Sequence, residues 1–443
     1  MAFESRGATT LTGLYRHPIV QAPMAGGPSC PALAAAVSEA GGLGSLAAGY
    51  KTPAAMYEEI KQLRARTAAP FGVNLFMPQP PATDPAAVEV YAEQLAGEAA
   101  WYGTPLGDTD RPCDDAYDAK LAILLDDPVP LVSFTFGCPA PAAVEALAGV
   151  GTVTVVTVTS VAEARAAHAA GADALCVQGT EAGGHQGTHH DDPHLDGTGA
   201  GVGLLTLLAE IGEAVDLPMI AAGGLMRGAQ IAAVLAAGAV AAQLGTAFVP
   251  CPESGAHDLH KRALTDPEPV FTGTELTRAF SGRPARGLVN RFLREHGPYA
   301  PAAYPQVHYL TSGLRKAAAA AGDPQGMNLW AGQGHRLSRE LPAARLVEVL
   351  AAELAAARGA DRPPARGEGY GAAGHATAGH GGDGHGTAGQ GGDGHGTAGQ
   401  GGDGHGIAGQ GGDGHGIAGQ GADGHGIAGQ GGEQNRTTRG SES

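Results

Sequence analysis

Positive charge, aromatic side chains and long apolar runs are all scarce in this chain of 443 residues. It contains 27 Lys and Arg against 44 Asp and Glu, which gives a formal net charge of −17 at pH 7. A strongly acidic surface repels a phosphate backbone, and an aromatic content of only 5% offers few rings for base stacking, so we expect no nucleic-acid partner. No apolar run reaches the roughly 20 residues that a membrane-spanning helix needs, so we expect no membrane association.

Cysteine is rare and is not spaced for metal binding. The five cysteines lie far apart, and no two of them form a C-x-x-C pair. Scattered cysteines without zinc spacing indicate reduced thiols in a cytosol-like compartment. The first residues, "MAFESRGATTLTGLYRH", lack the apolar core of a secretory signal. We therefore expect a cytoplasmic protein, either a monomer or a homodimer.

Glycine is abundant instead, and much of it lies at the end of the chain. From about residue 371 a ten-residue unit such as "GGDGHGTAGQ" repeats, with at most one large apolar residue in each copy. Such a segment cannot bury enough apolar surface to offset the entropy lost when its glycines are ordered. We therefore predict a disordered low-complexity tail over residues 365–443. Its histidines leave two interpretations open, incidental affinity for nickel or zinc and a selected metal or partner role.

The first 270 residues alternate between strand-like runs and alanine-rich helices. The strand-like runs are almost continuously apolar, as expected for a parallel sheet that is covered on both faces. A β–α unit repeated eight times predicts a (β/α)8 TIM barrel over residues 1–270, with a doubly wound open sheet as the main alternative. The eight runs are "PIVQAPMAG", "LGSLAAG", "FGVNLFMP", "LVSFTFG", "TVTVVTV", "ALCVQG", "PMIAAGG" and "VAAQLGTAF".

Two further segments exceed what a simple barrel needs. Residues 79–128 lie between the third and fourth strands and are too long for an ordinary crossover, so we predict an inserted helical substrate subdomain or lid there. Residues 271–364 follow the eighth strand and contain the helix-forming runs "YPQVHYLTSGLRKAAAAAG" and "ARLVEVLAAELAAARG". We predict that this C-terminal helical segment packs at the barrel mouth.

Barrel active sites lie at the carboxyl ends of the strands, and this sequence has two glycine-rich turns there. "AAGGLMRGAQ" follows the seventh strand, and "QLGTAF" includes the end of the eighth. Glycine lets backbone N–H groups approach an anion closely, so these turns fit either a phosphate site or tight packing. The ATP motif G-x-x-x-x-G-K-[ST] is absent, and G-x-G-x-x-G is missing at the first strand. A mononucleotide such as FMN is therefore favoured as the cofactor.

A third glycine-rich stretch, "VQGTEAGGHQGTHHDD", follows the sixth strand. It is open to three interpretations: a metal site, a flexible polar loop, or a loop that presents one working histidine. Metal sites need ligands fixed by rigid elements, so six candidates in one loop favour the last interpretation, with His185 as a general base and no metal. The six candidate ligands are His185, His189, His190, Asp191, Asp192 and His194.

Several separated motifs together resemble one enzyme family. They are "PIVQAPMAGGPSCPALAAAVSEAGGLGSLAAGY", "FGVNLF", "QGTEAGGHQG", "AAGGL", "QLGTAF", "TRAFSGRPARGLVNRF" and "NLWAGQG". In this order, from about residue 18 to 337, they resemble the nitronate monooxygenases, formerly called 2-nitropropane dioxygenases, and most closely their class I. The resemblance implies an FMN-dependent barrel with an added substrate domain. It also implies oxidation of alkyl nitronates, including propionate 3-nitronate, by O₂ without a reducing nucleotide.

The resemblance implies a role for particular residues as well. His185 is the implied catalytic base. Met24 and Asn74 are expected to lie against the flavin, and Gln178 and Gly183 to line its isoalloxazine ring and ribityl chain. The residues implied to hold the FMN phosphate are Gly224, Gln243, Leu244, Gly245 and Thr246.

Two questions stay open at this point. Arg283, Arg286 and Lys316 are candidates for anchoring an anionic nitronate, or else they form structural salt bridges and surface positions. The alternative function is that of a related flavin barrel, an FMN-dependent enoyl-acyl-carrier-protein reductase or NAD(P)H:quinone reductase, which consumes NAD(P)H. The motifs "SGRPARG" and "LWAGQG" favour the monooxygenase. A non-enzymatic binding protein is a further hypothesis, which a purified protein without flavin would support.

Overall fold

The computed structural model describes residues 11–360 except 83, 192–200, 267 and 269. The predicted tail, and the candidate ligands Asp192 and His194, lie outside the described residues. The strands are β1 (Ile19–Gln21), β2 (Gly44–Ala47), β3 (Phe71–Phe76), β4 (Leu131–Thr135), β5 (Val153–Val158), β6 (Ala174–Gln178), β7 (Gly184–His185), β8 (Met219–Ala222), β9 (Ala241–Leu244), β10 (Thr274–Thr277) and β11 (Ala285–Leu288). The α-helices are α1 (Pro31–Glu39), α2 (Pro53–Arg64), α3 (Pro85–Gln94), α4 (Ala96–Tyr102), α5 (Tyr117–Asp126), α6 (Pro141–Gly149), α7 (Val161–Ala169), α8 (Leu204–Ala214), α9 (Gly228–Ala236), α10 (Asp258–Thr265), α11 (Arg291–His296), α12 (Gln306–Ala320) and α13 (Ala343–Ala360).

Eight of these strands form one parallel sheet that closes on itself. Their order is β1-β9-β8-β6-β5-β4-β3-β2. A parallel bridge between Val20 and Leu43 joins the two ends of this series. At the bridge, Leu43 N donates to Ile19 O at 2.9 Å, and Leu43 O accepts from Gln21 N at 2.9 Å. The closure confirms the predicted (β/α)8 barrel and shows that the open-sheet alternative is wrong.

Local residue types explain where the barrel elements form. All six residues of β5, "VTVVTV", are β-branched and buried, which suits a strand covered on both faces. Helices begin where a side-chain oxygen accepts a free backbone N–H: Thr52 Oγ1 accepts from Ala55 N at 3.2 Å, and Ser160 Oγ accepts from Glu163 N at 3.3 Å. In the described part of the chain, no helix is both long and apolar enough to cross a membrane.

The segment between β3 and β4 contains the helices α3, α4 and α5. Lys120 of α5 is only 1% exposed, and its ammonium donates to Ala48 O at 3.0 Å and binds the Asp115 carboxylate at 2.6 Å. Asp115 also accepts a hydrogen bond from the backbone N of Tyr50 at 2.9 Å. A buried ion pair therefore fixes this segment to the barrel loop that follows β2.

A small antiparallel sheet, in the order β10-β11-β7, accompanies the barrel. It pairs Ala285 with His185 and Arg286 with Gly184. The sequence predicted only helices over residues 271–364 and missed the two strands there, because strands of four residues are too short to produce a clear apolar alternation. In this sheet, β7 holds the middle of the glycine-rich loop that follows β6.

The two long C-terminal helices occupy different surroundings. Residues of α12, including His308 and Arg315, line the cavity at the strand ends. Helix α13 packs instead against α9 and α1 on the outside of the barrel. The approach to α9 is so close that a Cβ atom on Gly228 would lie 2.3 Å from Leu354 N. Glycine at this position therefore lets the last helix cover the barrel.

Candidate active site

A cavity of about 1010 Å³ lies at the carboxyl ends of the barrel strands. Nine of the ten residues that the family resemblance singled out line it. The exception is Leu244, whose side chain is 1% exposed and packs in the apolar core, while its carbonyl accepts a hydrogen bond from Ala22 N at 2.9 Å. The nine lining residues are Met24, Asn74, Gln178, Gly183, His185, Gly224, Gln243, Gly245 and Thr246.

The side-chain amide of Gln178, at the end of β6, folds the following loop back onto the barrel. Its Nε2 donates to His185 O at 3.0 Å, and its Oε1 accepts from Gly187 N at 2.7 Å. A Cβ atom on Gly187 would lie 2.8 Å from the Thr157 methyl, so this return also requires glycine. The amide thus presents His185 in the cavity wall.

The imidazole of His185 is held by a contact with one hydroxyl group, that of Ser281. Its Nε2 lies 2.9 Å from Ser281 Oγ, and Ser281 Oγ in turn lies 3.2 Å from the carbonyl oxygen of Arg283. When the hydroxyl donates to that carbonyl, it accepts from His185, which places the imidazole proton on Nε2 and the lone pair on Nδ1. Nδ1 has no hydrogen-bond partner among the described residues. The lone pair is therefore available to a molecule in the cavity.

The surroundings of His185 keep its imidazole neutral. Burial, as the largest cause, and the positive charges of Arg283 and Arg315 together lower its pKa from 6.5 to about 3. A neutral imidazole at physiological pH can accept a proton, as a general base must. Three aromatic rings lie within 5.5 to 5.7 Å of the imidazole, between centroids, and these belong to Phe136, Tyr304 and Trp330.

The turn after β8 presents backbone donors to the same cavity. Gly223 and Gly224 have φ angles of +134° and +67°, in the region that favours glycine. Their N–H groups have no acceptor within the described residues, and both glycines line the cavity. Consecutive unpaired N–H groups in such a turn form a concave site for an anion such as a phosphate.

The segment "NLWAGQG" packs against two other glycine-rich segments that line the cavity, those of Gly183 and Thr246. Gly332 N donates to Thr246 Oγ1 at 3.0 Å. Gly183 approaches the same segment so closely that a Cβ atom would lie 2.4 Å from Gly332 N. Three motifs that are far apart in the sequence therefore meet at one place, and glycine is required there because backbone packs directly on backbone.

The side chain of Asn74 has a buried acceptor oxygen that receives no hydrogen bond from the described residues. Its Nδ2 donates to Ser133 Oγ and Thr135 Oγ1, both at 3.0 Å. Its Oδ1 is buried and has no partner within the described chain. Buried polar atoms are nearly always paired, so this oxygen fits a ligand that brings an N–H group, as the ring system of a flavin does.

Comparison with known proteins agrees with this geometry. The family model described as "Nitronate monooxygenase" matches residues 8–353. The chain belongs to the nitronate monooxygenase family. Nitronate monooxygenase from Pseudomonas aeruginosa is 42% identical over 352 residues, which cover 78% of this chain and 98% of that protein. The enzyme of the same name from Paraburkholderia phytofirmans is 41% identical over 359 residues, 79% of this chain and 95% of that protein.

Solved structures are similar as well. Nitroalkane oxidase from Streptomyces ansochromogenes superposes with a TM-score of 0.77 at 70% identity and covers 79% of this chain and 99% of its own. FabK from Thermotoga maritima superposes with a TM-score of 0.60 at 28% identity, over 81% of this chain and 98% of its own. The family resemblance expected from the motifs is therefore confirmed, and members of this family are flavin-dependent oxidoreductases.

In this nitronate monooxygenase family member, two of the three candidate anchors do not line the cavity. Arg283 is 1% exposed, donates through Nη1 to Gln79 Oε1 at 2.7 Å, and lies 4.2 Å above the Phe136 ring. Arg286 donates through Nε to Thr180 O at 2.9 Å. Both arginines therefore hold the loops together. Lys316 does line the cavity, at an exposed position on α12.

His189 and Asp191, two further polar residues of the loop after His185, have protein partners. His189 Nε2 lies 3.0 Å from Thr157 O, and its backbone N donates to Glu163 Oε1 at 2.8 Å. Asp191 forms an ion pair with Arg278. Within the described part of the chain, these contacts tie the loop to the protein and do not bring its histidines and carboxylates together as metal ligands.

Sequence reasoning missed several cavity residues. Tyr50 and Trp330 line the cavity and lie inside motifs that carried the resemblance, as does Ser281, which contacts His185, so the signal was present without an assigned role. His308 and Arg315 lie outside the motifs, and no local pattern distinguishes them from ordinary surface residues. Only the packing of α12 across the cavity brings them to the site.

Proposed function

We propose that this protein is an FMN-dependent nitronate monooxygenase. It oxidises alkyl nitronates, such as propionate 3-nitronate, with O₂ to carbonyl compounds and nitrite or nitrate. The observation that carries the proposal is the neutral imidazole of His185, whose unpartnered Nδ1 belongs to the same cavity as the unpaired N–H groups of Gly223 and Gly224. Family membership and the similarity to a nitroalkane oxidase support the same reaction.

The cavity residues fit the cofactor. The N–H groups of Gly223 and Gly224, with Gln243, Gly245 and Thr246 beside them, suit the phosphate of a mononucleotide. Asn74 Oδ1 supplies an acceptor for a ring N–H, and Met24, Gln178 and Gly183 form adjoining wall. When bound, FMN supplies an electron acceptor for the nitronate and a route for its electrons to O₂.

His185 is needed for one class of substrate only. A neutral nitroalkane carries an acidic hydrogen on its α-carbon. His185 Nδ1 accepts that proton, the C–H bond breaks, and its electron pair moves onto the nitro group, which leaves a nitronate and an imidazolium. A nitronate that enters already ionised has no such proton to lose. It needs only to be bound and kept in position for oxidation.

Oxygen uptake by the purified flavoprotein tests the proposal. Propionate 3-nitronate and NADH are supplied in separate cells, and the released flavin is identified by its mass. Rapid uptake with the nitronate, little uptake with NADH, and release of FMN are expected. Fast oxidation of NADH with no response to the nitronate would assign the protein to the reductase alternative, and FAD in place of FMN would overturn the cofactor assignment.

A further inference from the structure

Arg315 of α12 lines the cavity, and its positive charge has no role in the proton transfer to His185 or in the proposed cofactor site. Its side chain lines the cavity and is half-buried. One edge of the guanidinium is tied to its own helix, since Nη2 donates to His308 O at 2.9 Å and to His308 Nδ1 at 3.2 Å. Nη1 makes no hydrogen bond to any described residue. The group thus presents N–H donors that the protein does not satisfy.

The positive charge of Arg315 also lacks a counter-ion. Among the described residues, no carboxylate lies within ion-pair distance of it. The titratable groups that act on its pKa are the phenols of Tyr50 and Tyr304, and burial raises the pKa of both phenols, so they are neutral at pH 7. Burial lowers the pKa of Arg315 to about 10, so the guanidinium remains charged at neutral pH. A buried charge without a partner is costly, and such charges are paired in proteins or meet a ligand.

Arg315 is held rigidly relative to His185. The His308 ring stacks on Tyr50 with centroids 3.9 Å apart and an interplanar angle of 5°. Tyr50 OH is hydrogen-bonded to Tyr304 OH at 3.1 Å, and the Tyr304 ring lies 5.7 Å from His185. One continuous aromatic wall therefore connects the guanidinium to the imidazole. The charge of Arg315 also contributes to the lowered pKa of His185.

We propose that Arg315 is the residue that binds the anionic nitro group of the substrate, through charge-assisted hydrogen bonds from its guanidinium to the nitro oxygens. The proposal rests on the nitronate monooxygenase function. A planar guanidinium matches the two oxygens of a nitro group as it matches a carboxylate. When His185 removes the α-proton of a neutral nitroalkane, the electron pair moves onto these oxygens, and Arg315 stabilises the charge that forms there.

Arg315 meets this requirement better than the other three Lys and Arg residues that line the cavity. The charge of Lys51 is already paired with the Glu59 carboxylate. Lys316 and Arg111 are exposed, and the Arg111 guanidinium lies over the Tyr309 ring at 4.5 Å. Water screens exposed charges and solvates their N–H groups, so they contribute little to anion binding. Arg315 combines burial, a fixed orientation and an unpaired donor in one side chain.

Steady-state kinetics and anion binding test Arg315 on the flavin-loaded enzyme. Arg315→Gln and Arg315→Lys are compared with Arg345→Gln, which removes one positive charge from an exposed pair with Glu348 on α13. Loss of a charge-assisted hydrogen bond predicts that Arg315→Gln raises KM for propionate 3-nitronate about tenfold to a hundredfold. Arg315→Lys is expected to lose less, and Arg345→Gln to behave as wild type. Flavin absorbance and thermal unfolding verify that each variant is folded.

Calorimetric titration with nitrite separates this proposal from the reaction itself, because it needs no turnover. Wild type and Arg345→Gln are expected to bind nitrite with equal affinity, and Arg315→Gln about tenfold or more weakly. The role of Arg315 would be overturned if Arg315→Gln bound nitrite as tightly as wild type, or if wild type bound no nitrite. Either result would count against Arg315 even if the enzyme oxidises nitronates. Failure of wild type to consume any nitronate would instead overturn the proposed function.

Discussion

The Nε2 atom of His185 lies 2.9 Å from the Ser281 hydroxyl, and this contact assigns the two imidazole nitrogens different tasks. Ser281 is 1% exposed, and its hydroxyl also contacts the Arg283 carbonyl oxygen at 3.2 Å and accepts from the Arg283 backbone N at 3.4 Å, so the hydroxyl is fixed in position. Under the proposed function Ser281 is a positioning residue: when it donates to that carbonyl, it holds the proton on Nε2 and leaves Nδ1 to act as the base. Orientation of a base by a second group is a general feature of such sites.

Replacing Ser281 by alanine tests this relationship. We expect Ser281→Ala to lower kcat/KM for a neutral nitroalkane about tenfold, because one buried hydrogen bond that orients the base is lost. Turnover of propionate 3-nitronate is expected to stay near the wild-type value. In a His185→Asn background, Ser281→Ala should have no further effect on the neutral substrate. A further loss in the double variant would mean that the hydroxyl only supports the fold.

Replacing His185 by asparagine separates the two substrate classes. We expect His185→Asn to reduce turnover of neutral nitroethane at least about a hundredfold, since general bases contribute on this order. Turnover of preformed ethyl nitronate should remain within a few-fold of wild type, because that substrate has already lost its proton. Oxygen uptake with both forms, on enzyme of matched flavin content, gives the comparison. Equal loss on both substrates would exclude the assignment of His185 as the base.

The depressed pKa of His185 predicts the pH dependence for neutral nitroalkanes. In the folded protein burial, with the charges of Arg283 and Arg315, moves this pKa from 6.5 to about 3, so the imidazole stays neutral as the pH falls through 6.5 and gains its proton only near 3. We therefore expect kcat/KM for nitroethane to show no acidic limb near the ordinary histidine value. The profile is measured at pH values where the flavin stays bound. A limb centred near 6.5 would show that the site leaves the imidazole solvated.

Gly183 and Gly97 form a matched pair for testing the glycine-rich wall. A Cβ atom on Gly183 would lie 2.4 Å from Gly332 N, whereas a Cβ atom on Gly97, inside α4, would meet nothing within 4 Å. We expect Gly183→Ala to push the Gly332 segment away and lower the flavin absorbance per protein. Gly97→Ala is expected to keep full flavin and gain a little stability, about 1 kcal/mol at most. Normal flavin content in Gly183→Ala would show that this close approach is dispensable.

The buried Lys120–Asp115 pair predicts a large effect on stability. Lys120 is 1% exposed, and its ammonium lies 2.6 Å from the Asp115 carboxylate. Lys120→Met leaves that carboxylate without its partner, so we expect a loss of about 3–5 kcal/mol in the free energy of unfolding. The double variant Lys120→Met/Asp115→Asn should recover part of this loss. Denaturant unfolding measures the free energy of unfolding of wild type and both variants. A double variant less stable than Lys120→Met alone would contradict the prediction.

The sequence by itself determined the barrel and indicated several of the residues that line its cavity. Apolar runs of six to nine residues, separated by helix-forming segments, specify parallel strands covered on both faces, and the strand ends then place residues such as Asn74, Gln178 and Gly224 at one rim. These features follow from short stretches of neighbouring residues, so they are readable without a structure. Leu244 is the exception, because the alternation along β9 turns its side chain into the core.

Only the tertiary structure decided what surrounds His185. Ser281 is 96 positions away from it in the chain, and Arg315 reaches the cavity through the packing of α12. The short strands β7, β10 and β11 have too few residues for a period, so pairing rather than propensity creates them. The fate of Arg283, Arg286 and Arg315 was likewise undecidable from sequence, because one residue type serves as a loop support or as an anion site according to the partners that packing supplies.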